Sequence, residues 1–449
     1  MGETTATIEK MLTVLLEEHK YTTLRDVLNT MAAADIAQLL DSLPHEKMPI
    51  LFRLLSKELA AETFVEMDAD LQESLIRGFS DNELKEVVDE LYVDDAVDII
   101  EEMPANVVRR ILRQTDPDMR KMINEILKYP DDCAGSIMTT EYVNFKPDLT
   151  VAEAIKHIRR SGVDKETIYT CYVTKSDRTL IGIVSVQKLL IAGDDDEISN
   201  IMEENVISVN TLDDREDVAN KFAKYNLIAL PVVDRENRLV GIVTVDDAID
   251  VIREEATEDI EKMAAITPSD KPYLKASVLE LWKARIPWLL LLMLSSTFTG
   301  LIITRFESAL AACGILAAYI PMLMGTGGNS GSQASVAVIR GLSLDEIDFS
   351  DIFRVQWKEI RVSVMCGITL AAANLIKLLL FDRVGISVAL VVSVALAVTV
   401  ITAKFVGCSL PILSKKIGFD PAVMASPFIT TIVDAISLLI YFYFASIIL

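Results

Sequence analysis

The chemistry this chain offers comes from carboxylates set at helical spacing. Between residues 246 and 262, Asp246, Asp250, Glu254 and Glu258 recur at every fourth position. Glu255 and Asp259 form a second such pair. Like charges at that spacing weaken a helix by roughly 0.2–0.5 kcal/mol per pair. Only Arg253 and Lys262 stand among them, so the helix needs cations nearby, either basic side chains or metal ions. Further acids are dense upstream, at Asp94, Asp95, Asp98, Glu101 and Glu102, and at Asp213, Asp214, Glu216 and Asp217. Acidic faces that repel when bare and close when bridged make a divalent-cation sensor. A solvated acidic helix is the plainer reading.

One carboxylate, Asp434, sits inside an apolar segment, where a charge costs about 2.5–3.5 kcal/mol. Thr430 and Thr431 lie one turn before it, and Ser426 and Pro427 two turns before, on one helix face. That face reads as a cation pathway, or as a buried acid paired to Lys404 or Lys377. A second polar run, Thr326-Gly327-Gly328-Asn329-Ser330-Gly331-Ser332-Gln333, allows two readings. Small residues let helices pack closely. An unwound turn would instead expose carbonyls and, with Asn329, line a pore.

The elements that must position these groups divide sharply by composition. The chain has 449 residues and a formal net charge of −23, yet its mean hydropathy is +0.35. Residues 1–274 hold 30 Lys/Arg against 56 Asp/Glu, whereas residues 275–449 hold 13 against 10. A large acidic soluble region therefore precedes a nearly uncharged one long enough to cross a bilayer several times. So acidic a chain has no basic face for nucleic acid. Five scattered cysteines exclude a disulfide framework or a structural zinc site. No HExxH or phosphate-binding G-x-x-x-x-G-K-[ST] occurs, and the polar N-terminus lacks a signal-peptide core.

Residues 8–128 read as successive helices, with a start at Ser80-Asp81-Asn82-Glu83. A weak repeat at an offset of 60 relates Asp35-Ile36-Ala37 through Leu43-Pro44 to Asp95-Ala96-Val97 through Met103-Pro104. Helix pairs so repeated predict a small superhelical solenoid; a plain bundle is the other reading.

From residue 137 the pattern becomes strand–helix–strand, twice. Ile137-Met138-Thr139, Cys171-Tyr172-Val173 and Gly182-Ile183-Val184-Ser185 match Ile201-Met202-Glu203, Leu230-Pro231-Val232-Val233-Asp234 and Gly241-Ile242-Val243-Thr244. The tandem resembles a pair of CBS motifs. That resemblance implies adenine-nucleotide binding where a Thr/Ser precedes an Asp by three positions. Thr244 and Asp247 satisfy this, while the first repeat has Ser185 but Lys188. At most one ATP-type site is expected, at Thr244 and Asp247; a module that only scaffolds or senses is the alternative.

Five apolar segments follow, at roughly 286–304, 308–325, 362–381, 384–406 and 422–448, the second broken by Pro321 and the glycine run. With the N-terminus in the cytosol, the inner loops carry Lys283, Arg285, Arg340, Arg354, Lys358, Arg361, Lys415 and Lys416. The outer ones carry Arg305 and Arg383. This positive-inside bias predicts a multi-pass plasma (inner) membrane protein with its C-terminus outside.

The whole arrangement resembles the MgtE family of magnesium channels. The residues that carry the resemblance are Gly327–Gln333, Phe419-Asp420-Pro421-Ala422, Pro427–Asp434 and Asp94–Pro104. It implies a multi-domain membrane protein with four parts. These are an all-α N-terminal superhelical domain (1–130), an α/β tandem CBS module (131–245), an acidic connecting helix (246–275) and an all-α transmembrane domain of five helices per subunit (276–449). It implies a homodimer in the lipid bilayer, with a pore near the two-fold axis. There Asp434 of both subunits would recognise largely hydrated Mg²⁺. It also implies that Asp94, Asp95, Asp214, Glu216, Asp247, Asp250, Glu255, Glu258 and Asp259 sense internal Mg²⁺ and close the pore, with Asp420 where the connecting helix meets it. A secondary transporter of divalent cations (Mg²⁺/Co²⁺) with a regulatory CBS module needs the same residues. A CBS-regulated anion channel is opposed by Asp434. A membrane enzyme is opposed by the lack of a nucleophile–base or metal constellation in the spans.

Overall fold

In the computed structural model, the described residues are 11–448 apart from 13, 17, 45, 163–164, 270, 272, 308–312 and 345; the side chain of Ser426 is also outside the description. The chain forms two compact units, residues 1–252 and 253–449.

The first unit opens with short helices in two rows. Ala33–Ser42 packs on Lys57–Val65, that on Asp81–Val88, and that on Ala105–Gln114. This next-but-one stacking is the solenoid expected from the repeat. The offset of 60 holds: Ala33–Ser42 matches α1 (Val93–Glu102), and each helix ends on an extended residue before a proline, Leu43 or Met103. Proline forces that ending by disfavouring helical backbone in the residue before it. The start at Ser80 is a capping box with Glu83.

Two three-stranded sheets follow. One holds β1 (Tyr142–Phe145), β2 (Thr167–Thr174) and β3 (Leu180–Ser185). The other holds β4 (Val209–Asn210), β5 (Ala229–Val233) and β6 (Leu239–Thr244). In each, the first pair is parallel and the second antiparallel. The repeats exchange their opening segments, since Thr139 bridges to Ile242 and Glu203 bridges to Ile183. A Cβ on Gly182 or Gly241 would lie 2.7 Å from the sulfur of Met202 or Met138, so glycine admits each crossing segment. Helix α2 (Val245–Met263) then leaves β6 and carries the acidic run across the boundary between the units.

The second unit contains α3 (Val278–Arg305), α4 (Ile320–Ser343), α5 (Ile352–Leu380), α6 (Ile386–Ile417) and α7 (Ser426–Ile448). Among the described residues, four helical stretches are long and apolar enough to cross a membrane, those built on α3, α5, α6 and α7. The second of the five expected segments, 308–325, is not among them, and its residues 308–312 lie outside the described residues. Residues 314–319 form a 3-10 turn, and the helix runs over 320–343 rather than 308–325. Pro321 sits in its first turn, where its missing N–H costs nothing. The helix continues without a break through Thr326–Gln333, so no turn is unwound there.

Candidate functional site

Packing on neighbouring helices explains why α4 stays helical despite its glycines. Cβ atoms on Gly327 and Gly331 would meet Val433 and Ile429 of α7 at 3.0 and 2.7 Å, and one on Gly328 would meet the Thr430 methyl at 2.9 Å. Small residues let α4 lie directly on α6 and α7. The face that looks like a loop by composition is a packing face.

Asp434 stands one turn beyond Thr430, half-buried. Among the described residues it makes no hydrogen bond or ion pair. The two lysines considered as partners are engaged elsewhere. Lys404 lies 3.9 Å from Glu359, and Lys377 lies 3.3 Å from Asp382. The hydroxyls of Thr430 and Thr431 both donate to the Pro427 carbonyl, at 2.9 and 3.0 Å. They are tied to their own helix, and Thr430 turns its methyl to Gly328. The Ser426 side chain lies outside the described residues. Asn329 points the other way from the glycines. It lines an open groove of about 760 Å³ with Ser332, Gln333, Val336, Ala337 and Arg340.

In the first unit the structure gathers one group of the expected acids. Asp94 on α1 is 6% exposed, and its Oδ1 has no partner among the described residues. Asp95, Asp246 and Asp247 face the same region, joined by Glu141 and Glu166, which the sequence reading missed. Glu166 also has a buried carboxylate oxygen without a partner. Burial first, then repulsion from Asp247 and its neighbours, raises Asp94 well above the ordinary carboxylate range. Burial and Asp247 push Asp95 up to about 7, and burial and Asp95 push Glu166 up to about 8. Asp247 rises less, to about 6, because burial is opposed by Thr244. The Thr244 hydroxyl donates to Asp247 Oδ2 at 2.6 Å, so the expected nucleotide pair is bonded to itself. Asp250 adds a weaker repulsion on Asp247. Among the described residues no three His, Cys, Asp or Glu side chains form a ready metal shell. The acids are close enough to repel but not arranged as a coordination sphere.

Asp214 and Glu216 are placed differently. Asp214 caps the helix Arg215–Tyr225 by accepting from the Glu216 N–H at 2.8 Å. Glu254 and Glu255 lie on α2.

In the second unit the end of α2 brings its own cation. Lys262 Nζ lies 2.5 Å from Glu258 and 2.6 Å from Asp420 Oδ2. Burial alone would lower the Lys262 pKa, but these hydrogen bonds raise it to about 12. Asp420 also accepts from the Ala422 N–H at 2.7 Å. Asp259 accepts from the Ser343 hydroxyl at 3.1 Å, and burial raises its pKa despite that bond. Met263 packs against Ile339 and Ala422. A basic side chain, one of the two kinds of cation the acidic helix requires, is therefore supplied here from within the helix.

Comparison with known proteins accounts for each region. Residues 320–444 match the MgtE family described as divalent cation transporter, 31–132 match the MgtE intracellular N domain, and 134–195 and 198–254 match CBS domains. The magnesium transporter MgtE of Thermus thermophilus is 37% identical over 97% of both chains, and that of Bacillus subtilis 31% identical over 96% of this chain and 95% of its own. A crystal structure of the cytosolic domain of the Mg²⁺ channel MgtE in complex with ATP is 35% identical. It covers 54% of this chain and 99% of its own, with a TM-score of 0.52. A crystal structure of the soluble part of a magnesium transporter covers 56% of this chain and 99% of its own at 31% identity, with a TM-score of 0.53. With relatives aligned along nearly its whole length, the chain belongs to the MgtE family of divalent cation transporters.

Proposed function

We propose that this protein is a Mg²⁺-selective channel for magnesium uptake, closed by internal Mg²⁺ acting on its own cytosolic acids. The observation that carries the reading is Asp434, a half-buried carboxylate in a spanning helix with no protein cation beside it among the described residues. The relatives are named magnesium transporters, and one structural neighbour is described as a Mg²⁺ channel. Mg²⁺ gives up its water reluctantly, so a carboxylate that holds the hydrated ion through its waters suits it. Two copies of Asp434 and Asn329 facing a two-fold axis in a homodimer would line such a path.

The sensor is the set Asp94, Asp95, Asp214, Glu216, Asp246, Asp247, Asp250, Glu254, Glu255, Glu258, Asp259 and Asp420. The fit to a divalent cation is best at Asp94 and Glu166, whose buried carboxylate oxygens lack partners. A cation there offsets the burial and the repulsion that together raise these acids. In this reading residues 1–130 and 131–245 are cytosolic sensor domains, 246–275 connects them to the pore, and 276–449 spans the plasma membrane with the C-terminus outside. ATP binds the CBS module at Thr244 and Asp247, by analogy with the ATP-bound neighbour.

Currents from membrane patches, recorded while Mg²⁺ on the cytosolic face is stepped, test the reading. Unitary openings should vanish as Mg²⁺ rises. Mg²⁺ uptake by liposomes without resolvable openings would make the protein a carrier, and openings indifferent to Mg²⁺ would remove the sensor.

A further inference from the structure

Helix α5 is longer than a bilayer requires. It has 29 residues, whereas about 20 suffice to span. Its first turns therefore stand at headgroup depth. In them Arg354, Lys358 and Arg361 follow at i, i+4 and i+7, a single stripe along one side of the helix, and all three are exposed. Among the described residues no carboxylate pairs with any of them. Beside the stripe lie Phe353 and Trp357, 80% and 61% exposed. Arg361 donates from Nε to the Trp357 carbonyl at 3.3 Å, and its guanidinium stands 5.8 Å from the indole centroid.

The other side of the same turns is held inward. Ile352 and Val355 pack on the cluster of Ala334, Val338, Leu342, Cys408 and Ile412. Gln356 donates to Ser409 at 2.9 Å, and Glu359 faces the buried Lys404. The acid of this segment is thus committed to α6, and the three cations are left facing outward beside two amphipathic-depth aromatics.

We propose that Arg354, Lys358 and Arg361 form a binding site for the phosphates of anionic phospholipid headgroups, with Phe353 and Trp357 seated at the boundary between headgroup and acyl chain. Guanidinium forks match phosphate geometry, and aromatic rings favour that depth. Basic clusters next to a spanning segment attract acidic lipids. The site goes beyond the transport reading and does not depend on which ion crosses.

The chain contains three tryptophans, Trp282, Trp288 and Trp357. The full-length W282F/W288F variant leaves Trp357 as the reporter inside the stripe. It is reconstituted in phosphatidylcholine bilayers containing either brominated phosphatidylglycerol or brominated phosphatidylcholine. The anionic quencher should dim Trp357 more strongly. Adding R354Q/K358Q/R361Q should reduce that preference by up to about a hundredfold, and R354K/R361K should keep it. Equal quenching by the two lipids, or a preference that survives the triple substitution, overturns the proposal. Loss of the preference on adding inorganic phosphate would assign the site to soluble phosphate and overturn the lipid as well. Should the tryptophan variant fail to fold, the melting midpoint of the unaltered chain decides. It should rise with phosphatidylglycerol more than with phosphatidylcholine, and equal shifts count against the site.

Discussion

Gly407 of α6 packs so closely on Gly331 of α4 that its missing Cβ would overlap the Gly331 carbonyl. Backbone touches backbone at this crossing. A Cβ on Gly331 itself would stand 2.7 Å from Ile429 of α7 and 3.2 Å from the Ala403 carbonyl of α6. Gly407→Ala must therefore separate two helices that also hold α7. It should destabilise the protein by about 3 kcal/mol, the upper range for overpacking, read as a lower melting midpoint in detergent. Gly300→Ala, where nothing lies within 4 Å, should leave the midpoint unchanged or raise it slightly. Equal behaviour of the two variants would contradict the packing described.

Asp434→Asn keeps the shape of the side chain and breaks no bond seen among the described residues. Its melting midpoint should match the parent. Mg²⁺ flux into liposomes at low external Mg²⁺ should fall about a hundredfold, corresponding to a lost charge contact of roughly 3 kcal/mol. Undiminished flux would leave Asp434 without a role in the pathway.

Lys262 pairs with both Glu258 and Asp420. Lys262→Met leaves two acids facing each other. All three side chains are partly exposed, so the loss should be about 1 kcal/mol or less. What should change more clearly is the metal dependence. In EDTA the variant should be cleaved by protease near residue 263 faster than the parent, and Mg²⁺ should close most of that gap. Cleavage rates that stay alike in EDTA would mean the pair contributes nothing to holding the helix end.

The Asp94 group makes stability depend on pH in a defined direction. Asp95 and Glu166 have folded pKa values near 7 and 8, against about 4 for the unfolded chain. The folded state prefers the protonated acids. Their contribution is full below pH of about 4, falls as pH rises and is gone above about 8. Without divalent cations, amide protection in α1, corrected for intrinsic exchange, should decline between pH 6 and 8. Saturating Mg²⁺ should flatten that decline, and Asp95→Asn should reduce it. A pH-independent protection factor would show that the acids are not crowded in solution.

The parts of the fold legible in the sequence were those with a local or repeated signature. The CBS tandem, the Ser80 cap and the offset of 60 each depend on residues near one another in the chain. The second apolar segment was misplaced because α4 is a poor apolar helix by composition. Its glycines and serines read as a loop, and only the close approach of α6 and α7 shows that they are a packing face. Glu141 and Glu166 were missed because they stand just before the paired starts of β1 and β2, and only that strand pairing brings them to Asp94 and Asp247, a contact no spacing rule reveals. Lys262 was visible as a neighbour of the acids. Its bond to Asp420, 158 positions away, was not. Asp434 was legible because a carboxylate in an apolar run is conspicuous without any structure.

The exchanged openings of the CBS repeats bear on where this chain can be cut. Met138–Thr139 belongs in sequence to the first repeat but completes the sheet of the second, and Met202–Glu203 does the reverse. Neither repeat is whole alone. A fragment ending between them would carry one sheet lacking its edge and one stray segment with no sheet to join, and unpaired edges invite aggregation. The two repeats must therefore fold, unfold and be inherited together, and a mutation that loosens one loosens the other.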